Sequence, residues 1–201
     1  GSNIAFTVQG VDTDGFSAVE AGREDDGYQN LTISGRGEYY LSPSMKIFFA
    51  ARSLDVDVDY DGFVPPMYTS LGDTLQSSTT KQQAGRVGTE FSLLNGAFQN
   101  TFAIQGMEIQ RDLYDTGFRS GWYDGDRVKG EYKGVLSFND SLSLLAGADW
   151  EELGAETASS GGRQVSEVTG AYAQLMAEPI EGLVLTGGAR DRKSTRLNSS
   201  H

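Results

Sequence analysis

The chain has 201 residues, no cysteine and a single histidine, and its formal net charge at pH 7 is −12. The histidine is the last residue, His201, so the rest of the chain offers neither a thiol nor an imidazole for nucleophilic triads, zinc sites or haem sites. The acidity argues against a nucleic-acid partner and favours cations or a solvated acidic surface.

Apolar residues are spread along the sequence rather than gathered in long runs. No apolar run approaches the roughly 20 residues that a transmembrane helix needs. Period-two alternation, in contrast, recurs throughout and predicts β-strands. A transmembrane barrel carries its apolar residues at alternate positions, so this hydropathy is compatible with a membrane protein.

Nine strands are predicted in chain order. They cover residues 3–12, 29–40, 46–58, 81–94, 98–112, 127–138, 142–153, 165–177 and 183–190. The clearest is 127–138, in which one face carries four charges and the other none. The charged face comprises Arg127, Lys129, Glu131 and Lys133. On the other face we expect Val128, Tyr132 and Leu136 to contact lipid.

Short and long connections alternate between the predicted strands. The short ones are 41–45, 95–97, 139–141 and 178–182, and the long ones are 13–28, 59–80, 113–126 and 154–164. Short periplasmic turns and long extracellular loops on opposite edges are typical of outer-membrane barrels. Long strands and a high strand content also favour a barrel over a soluble β-sandwich or propeller. The predicted fold is therefore all-β, an antiparallel meander of about nine strands from an incomplete transmembrane barrel.

Two of the long loops concentrate carboxylates. The first holds Asp25 and Asp26 before Gly27, and the second begins with aspartates at alternate positions, which places them on one strand face. These aspartates are Asp55, Asp57, Asp59 and Asp61. Calcium takes six to eight oxygen ligands in a flexible shell, so clustered aspartates beside a glycine turn fit it. Acidic loops are also often plain solvated surface, and the sequence leaves both interpretations open.

The last eleven residues, 191–201, read Asp-Arg-Lys-Ser-Thr-Arg-Leu-Asn-Ser-Ser-His. This is the in-frame translation of the start of a widely used sequencing adapter. We therefore expect the segment to be non-native and exclude it from the fold. Three cationic residues against Asp191 give it a net charge of +2, which leaves −14 for residues 1–190.

Four segments carry recognisable motifs: residues 22–30, residues 59–66, the Asn95-Gly96 turn and residues 185–190. Together they resemble TonB-dependent outer-membrane receptors of the cobalamin (vitamin B12) type, over most of residues 1–190. The resemblance implies the early strands and extracellular loops of a large barrel of the 22-stranded type. It also implies that a plug domain and a TonB box precede residue 1 and that further strands follow residue 190.

In that family, a loop motif Asp-Asn-Asp-Gly-aromatic and a later Tyr-Asp pair with a further Asp bind calcium, which orders the substrate loops. Residues 24–28 fall on the first motif, with Glu and Asp in place of the leading Asp-Asn. Tyr60 and Asp61 fall on the pair, and Asp73 is the downstream acid at a spacing one residue longer. The calcium ligands implied by the motifs and the acidic cluster are Glu24, Asp26, Asp57, Asp59, Tyr60, Asp61 and Asp73.

The resemblance implies a transport receptor rather than an enzyme. Its nutrient, cobalamin or a related corrinoid, would bind the loops and the top of the plug, and TonB would deliver the energy that releases the plug. A siderophore or an oligosaccharide is the alternative within this class, because loops vary on a common barrel. A passive porin and a soluble calcium-binding adhesin are alternatives from other classes. We expect the outer membrane of a Gram-negative bacterium, contact with its lipid, and no nucleic-acid partner.

Overall fold

A computed structural model describes residues 1–19, 25–64, 66, 67 and 69–198, and these form a single antiparallel sheet. The strands are β1 Ser2–Thr13, β2 Tyr28–Ser42, β3 Met45–Phe63, β4 Leu71–Leu93, β5 Phe98–Asp115, β6 Phe118–Asn139, β7 Leu142–Thr157, β8 Gln164–Ile180 and β9 Leu183–Asn198. Each strand pairs with the next in the chain, so the spatial order is the sequence order. This nine-stranded meander confirms the predicted fold class.

The sheet is open, because no pairing joins β1 to β9 within the described residues. One short 3₁₀ turn, Leu94–Gly96, is the sole helical element in the part of the chain that the structure describes. No helix among these residues is long and apolar enough to cross a membrane.

The connections confirm that the two edges of the sheet differ, but the strands on one side are longer than predicted. At the edge with the tight turns, two to four residues join consecutive strands: 43–44, 94–97, 140–141 and 181–182. At the other edge the connections are 14–27, 64–70, 116–117 and 158–163. We call these the turn edge and the loop edge.

The predicted loop at 113–126 is wrong. Strand β5 continues to Asp115 and β6 begins at Phe118, so the connection is a two-residue hairpin turn. Its central residues, Thr116 and Gly117, have φ angles of 50° and 80°. Positive φ at both central positions is the signature of a type I′ turn, whose twist matches that of paired strands. The Asp-Thr-Gly sequence was therefore a hairpin signal inside an apparent loop.

The last strand also exceeds its predicted range, since β9 runs through residues 191–198 and pairs with β8 as far as Asn198. Backbone groups along the edge of β8 accept any extended chain beside them, whatever its side chains. The adapter origin of residues 191–201 therefore stays a prediction that strand pairing does not address.

The register divides the side chains into two faces of opposite character. Paired residues on neighbouring strands point to the same side of the sheet. One face is therefore the side of Val128 and of the residues in register with it, and the other is the side of Lys129. We call them the apolar face and the polar face. Within the described residues no second layer covers either one, and Ile4, Phe6, Ile104 and many other large apolar side chains are exposed on the apolar face.

Candidate functional site

Apolar residues on the apolar face form a continuous belt near the turn edge. In β4, β5 and β6 it covers residues 85–93, 98–106 and 128–136, which the register aligns with one another. Each run is nine residues long, close to the 9 to 11 residues of a tilted membrane-spanning strand. The next residues on that face towards the loop edge are Gln83, Glu108 and Asp126. The belt therefore ends sharply where polar residues begin.

The belt contains a buried amide side chain. Asn100 is 4% exposed, and its Oδ1 accepts a hydrogen bond from the Tyr132 hydroxyl at 2.8 Å. The Tyr132 ring lies 4.5 Å from that of Phe102, which stacks on Phe91 at 6.1 Å. The aromatic cluster thus covers the amide while the tyrosine hydroxyl satisfies its oxygen, as a buried polar group requires.

On the polar face, ion pairs join neighbouring strands. Lys46 on β3 bridges Glu38 on β2 and Glu90 on β4, at 3.2 and 3.1 Å. Glu151 on β7 is 9% exposed and accepts two parallel hydrogen bonds from Arg127 on β6, at 3.0 and 3.1 Å. Bidentate guanidinium–carboxylate pairs are geometrically specific as well as strong. Neighbouring strands are therefore connected by charge as well as by backbone hydrogen bonds.

Two further pairs reach across an intervening strand. Arg86 on β4 contacts Glu131 on β6 diagonally, past the buried Ala103 on β5, which pairs with Glu131. Arg190 on β9 reaches Asp149 on β7 diagonally at 3.1 Å, past Gly170 on β8, which pairs with Asp149. A small residue on the middle strand leaves the space in which the long side chains meet.

The predicted acidic loops do meet at the loop edge. The Ser17 hydroxyl donates to Asp61 Oδ2 at 3.1 Å, and the Asp59 backbone N–H donates to the Gly27 carbonyl at 2.9 Å. Loop 14–27 is therefore attached to the end of β3, as expected for loops on the same side of a meander.

Most of the acids proposed as calcium ligands already have partners in the protein. Asp26 Oδ2 accepts from the Ala18 N–H at 2.8 Å, and Asp57 Oδ1 accepts from the Thr79 hydroxyl at 2.7 Å. Asp61 Oδ1 accepts from the Thr74 N–H at 3.0 Å, where the pairing of β3 with β4 shifts register between Tyr60 and Gly62.

Three of the four alternating aspartates share one face, as predicted. Asp55, Asp57 and Asp59 lie on the same side as the apolar belt, and Asp61 falls within the register shift, where the additional residues belong to β4. Tyr60 lies on the polar face, away from Asp57 and Asp59. The structure therefore divides the predicted ligands between two faces and an irregular segment.

Asp73 and Glu24 are the other two predicted ligands. Asp73 precedes Thr74 in the same irregular segment, and Glu24 lies outside the described residues. Among the residues that the structure describes, no three of the potential ligand side chains gather closely enough to hold a metal ion. The calcium set stays a prediction.

Among solved structures, one with a similar fold is a bacterial receptor. It is the crystal structure of BauA, the ferric preacinetobactin receptor from Acinetobacter baumannii, with a TM-score of 0.58 and 12% sequence identity. The match covers 89% of this chain and 33% of that receptor, so the chain spans about a third of its length. At this identity the likeness shows the fold alone. No family model and no curated protein matches the sequence.

The ion pairs of the polar face are the functional feature that sequence patterns missed. The charged face of residues 127–138 was recognised, but its partners lie on β4 and β7, and the pair of Arg86 with Glu131 joins residues 45 positions apart. Pairs across an intervening strand require the register of three strands at once, which no local pattern carries. The alternation of large and small residues on that face is the available sequence signal.

Proposed function

We propose that the chain forms part of the wall of an outer-membrane β-barrel that takes up a large, scarce nutrient with energy delivered by TonB. The belt is the observation that supports this proposal. It covers nine residues along each strand, which is the height that a lipid bilayer requires of tilted strands. The apolar face then contacts lipid and the polar face lines the lumen. The protein acts as a transporter and not as an enzyme.

The difference between the two edges of the sheet supports the orientation. Tight turns at the turn edge suit the periplasmic side, and strands that continue beyond the belt suit the extracellular side. The hairpin of β5 and β6 continues for nine residues past Gly106, roughly 30 Å at 3.3 Å per residue. Such hairpins place side chains where a nutrient first meets the receptor.

Two nutrient classes remain in competition. Cobalamin or a related corrinoid is supported by the sequence motifs in residues 22–30 and 59–66. A siderophore is supported by the structural neighbour, which is described as a ferric preacinetobactin receptor. Both nutrients are bulky and scarce, and both require active uptake. An oligosaccharide has no comparable support.

An uptake experiment distinguishes these functions. The host cell expresses the full-length receptor and lacks its own receptors for both nutrients. Radiolabelled cobalamin and iron-loaded siderophore are offered with and without functional TonB. We expect one of them to accumulate in a TonB-dependent manner. Accumulation that persists without TonB would indicate a passive porin, and accumulation of neither would contradict the proposal.

We also propose that calcium orders loop 14–27 against the end of β3. The hydrogen bond from Ser17 to Asp61 places the acidic residues of the loop beside those of the strand, and like charges so placed favour a hard cation. Calcium should then raise nutrient affinity in the intact receptor, because ordered loops lose less entropy on binding. The measurement is a nutrient titration with calcium and with excess chelator.

The variants for this test follow from the contacts. Asp26→Asn keeps a hydrogen-bond acceptor for the Ala18 N–H but removes the negative charge. We expect it to abolish the calcium effect without unfolding the barrel. Asp112→Asn, in the β5–β6 hairpin, is the matched control because Asp112 pairs with Arg119. Equal nutrient affinity with calcium and with chelator in the unaltered receptor would reduce these acids to solvated loop charges.

A further inference from the structure

A hollow of about 560 Å³ lies on the polar face, across strands β1 to β6. Four arginines line it: Arg36, Arg52, Arg86 and Arg127. Small residues lie between them, since Ala50 pairs with Arg36 on one side and Arg86 on the other, and Ala84 pairs with Arg52. The guanidinium groups therefore border open space. We call this feature the arginine hollow.

Only part of this positive charge is neutralised. Arg86 is paired with Glu131, and Arg127 with Glu151. Neither Arg36 nor Arg52 forms an ion pair or a side-chain hydrogen bond with any residue that the structure describes. Each guanidinium carries five N–H donors in a planar fork. The hollow therefore contains two arginines without a carboxylate partner among the described residues, Arg36 and Arg52, beside two that are paired with carboxylates.

This local charge is opposite in sign to that of the chain. The nearest part of the acidic cluster along β3, Asp55 to Asp59, begins three residues beyond Arg52 and lies on the opposite face. Asp57, five residues away, is roughly 17 Å distant at 3.3 Å per residue. The Debye length at physiological ionic strength is about 8 Å, so most of this cluster is screened from the hollow.

We propose that the arginine hollow binds an anionic group of the transported nutrient, a small molecule that bears carboxylates or phosphates. The arginine fork matches the two oxygens of such a group. The volume also falls within the roughly 300 to 1,000 Å³ of small-molecule sites. The hollow lies where the belt ends on the opposite face, at Gly85 and Gly106. This inference rests on the proposed transport function.

Citrate and inorganic phosphate are suitable probes for the intact receptor in detergent, measured by titration calorimetry. We expect saturable citrate binding that weakens as salt is raised. The double variant Arg36→Gln with Arg52→Gln should bind citrate about tenfold more weakly or worse, because charge-assisted hydrogen bonds are lost. Arg119→Gln, in the β5–β6 hairpin and outside the hollow, should leave citrate affinity unchanged.

Two results would overturn the inference. The first is the absence of saturable binding of either anion to the unaltered receptor. The second is unchanged citrate affinity in the double variant, which would show that citrate binds to the receptor elsewhere. TonB-dependent uptake that persists in either case would leave the transport function standing, whereas its absence would contradict that function independently.

Discussion

Asn100 shows how a polar residue is accommodated on the apolar face, which we propose contacts lipid. Its side chain is 4% exposed, and the Tyr132 hydroxyl supplies the hydrogen bond that its Oδ1 needs. Removing the hydroxyl alone leaves that oxygen buried without its partner, while the ring contacts with Phe102 stay. The energetic effect of the hydrogen bond can therefore be isolated from that of the aromatic packing.

We expect Tyr132→Phe to lower the free energy of unfolding by about 1 to 3 kcal/mol, the cost of a buried group left unsatisfied. Tyr39→Phe is the matched control, because Tyr39 lies on the same face, is 59% exposed and bonds no described residue through its hydroxyl. Urea unfolding of the receptor in lipid bilayers measures both. Equal effects of the two changes would show that the Asn100 hydrogen bond contributes nothing.

Glu151 and Glu152 are adjacent in sequence but face opposite sides of the sheet. Glu151 accepts two hydrogen bonds from Arg127, whereas Glu152 lies on the apolar face opposite Val128, at the end of the belt. We expect Glu151→Gln to destabilise the receptor by about 1 to 2 kcal/mol, a moderate value because the Arg127 side chain is 34% exposed. Glu152→Gln should change stability by less than about 0.5 kcal/mol. The same unfolding measurement applies, and a reversed order would contradict the assignment of faces.

At the scale of the strand, Ile104 and Gln105 provide the sharpest comparison of the two faces. Ile104 is 62% exposed near the middle of the belt, and Gln105 is its neighbour on the polar face. In a bilayer, Ile104→Arg should cost roughly 2 to 4 kcal/mol, because the charge would lie near the midplane, and Gln105→Arg should cost far less. Folding free energies in lipid vesicles test this. A larger effect at Gln105 would mean that the lipid-facing side is the reverse of the one proposed.

The sequence predicts that the nine strands exist, but it does not predict how far they extend towards the loop edge. Within the belt one face is apolar, so residues such as Val128, Tyr132 and Leu136 produce a clear period of two. Beyond the belt, Asp124 and Asp126 lie on the face that is apolar within it, so the alternation loses its contrast even though pairing continues. The extension of β5 and β6 therefore resembled a loop.

The candidate site was less predictable than the fold. Sequence reasoning correctly brought the two acidic loops to the same edge, where Ser17 contacts Asp61. It could not foresee the register shift between Tyr60 and Gly62, because such irregularities depend on the pairing of whole strands. The arginine hollow was missed for the same reason. Arg36 and Arg86 lie on either side of Ala50 only because β2 and β4 both pair with β3 in this register.

At the scale of the whole molecule, the two faces explain why a single sheet exposes so much apolar surface. A lone water-exposed sheet would carry large side chains such as Phe6 and Ile104 at a cost in free energy, whereas the bilayer accepts them. The ion pairs on the other face, such as Lys46 with Glu90, suit a wall that lines a polar lumen. The two faces therefore fit the proposed role of a wall between lipid and a polar lumen.

Spin labels on the receptor in lipid bilayers test that separation most directly. The chain contains no cysteine, so single cysteines at each of residues 98–106 of β5 can be labelled without interference from this part of the receptor. We expect oxygen, which concentrates in lipid, to relax the labels at even positions such as Phe102 and Ile104. A water-soluble nickel complex should relax those at odd positions such as Ala103 and Gln105. Uniform access of the nickel complex to all nine positions, or the opposite phase, would contradict a membrane-spanning wall with this face towards lipid.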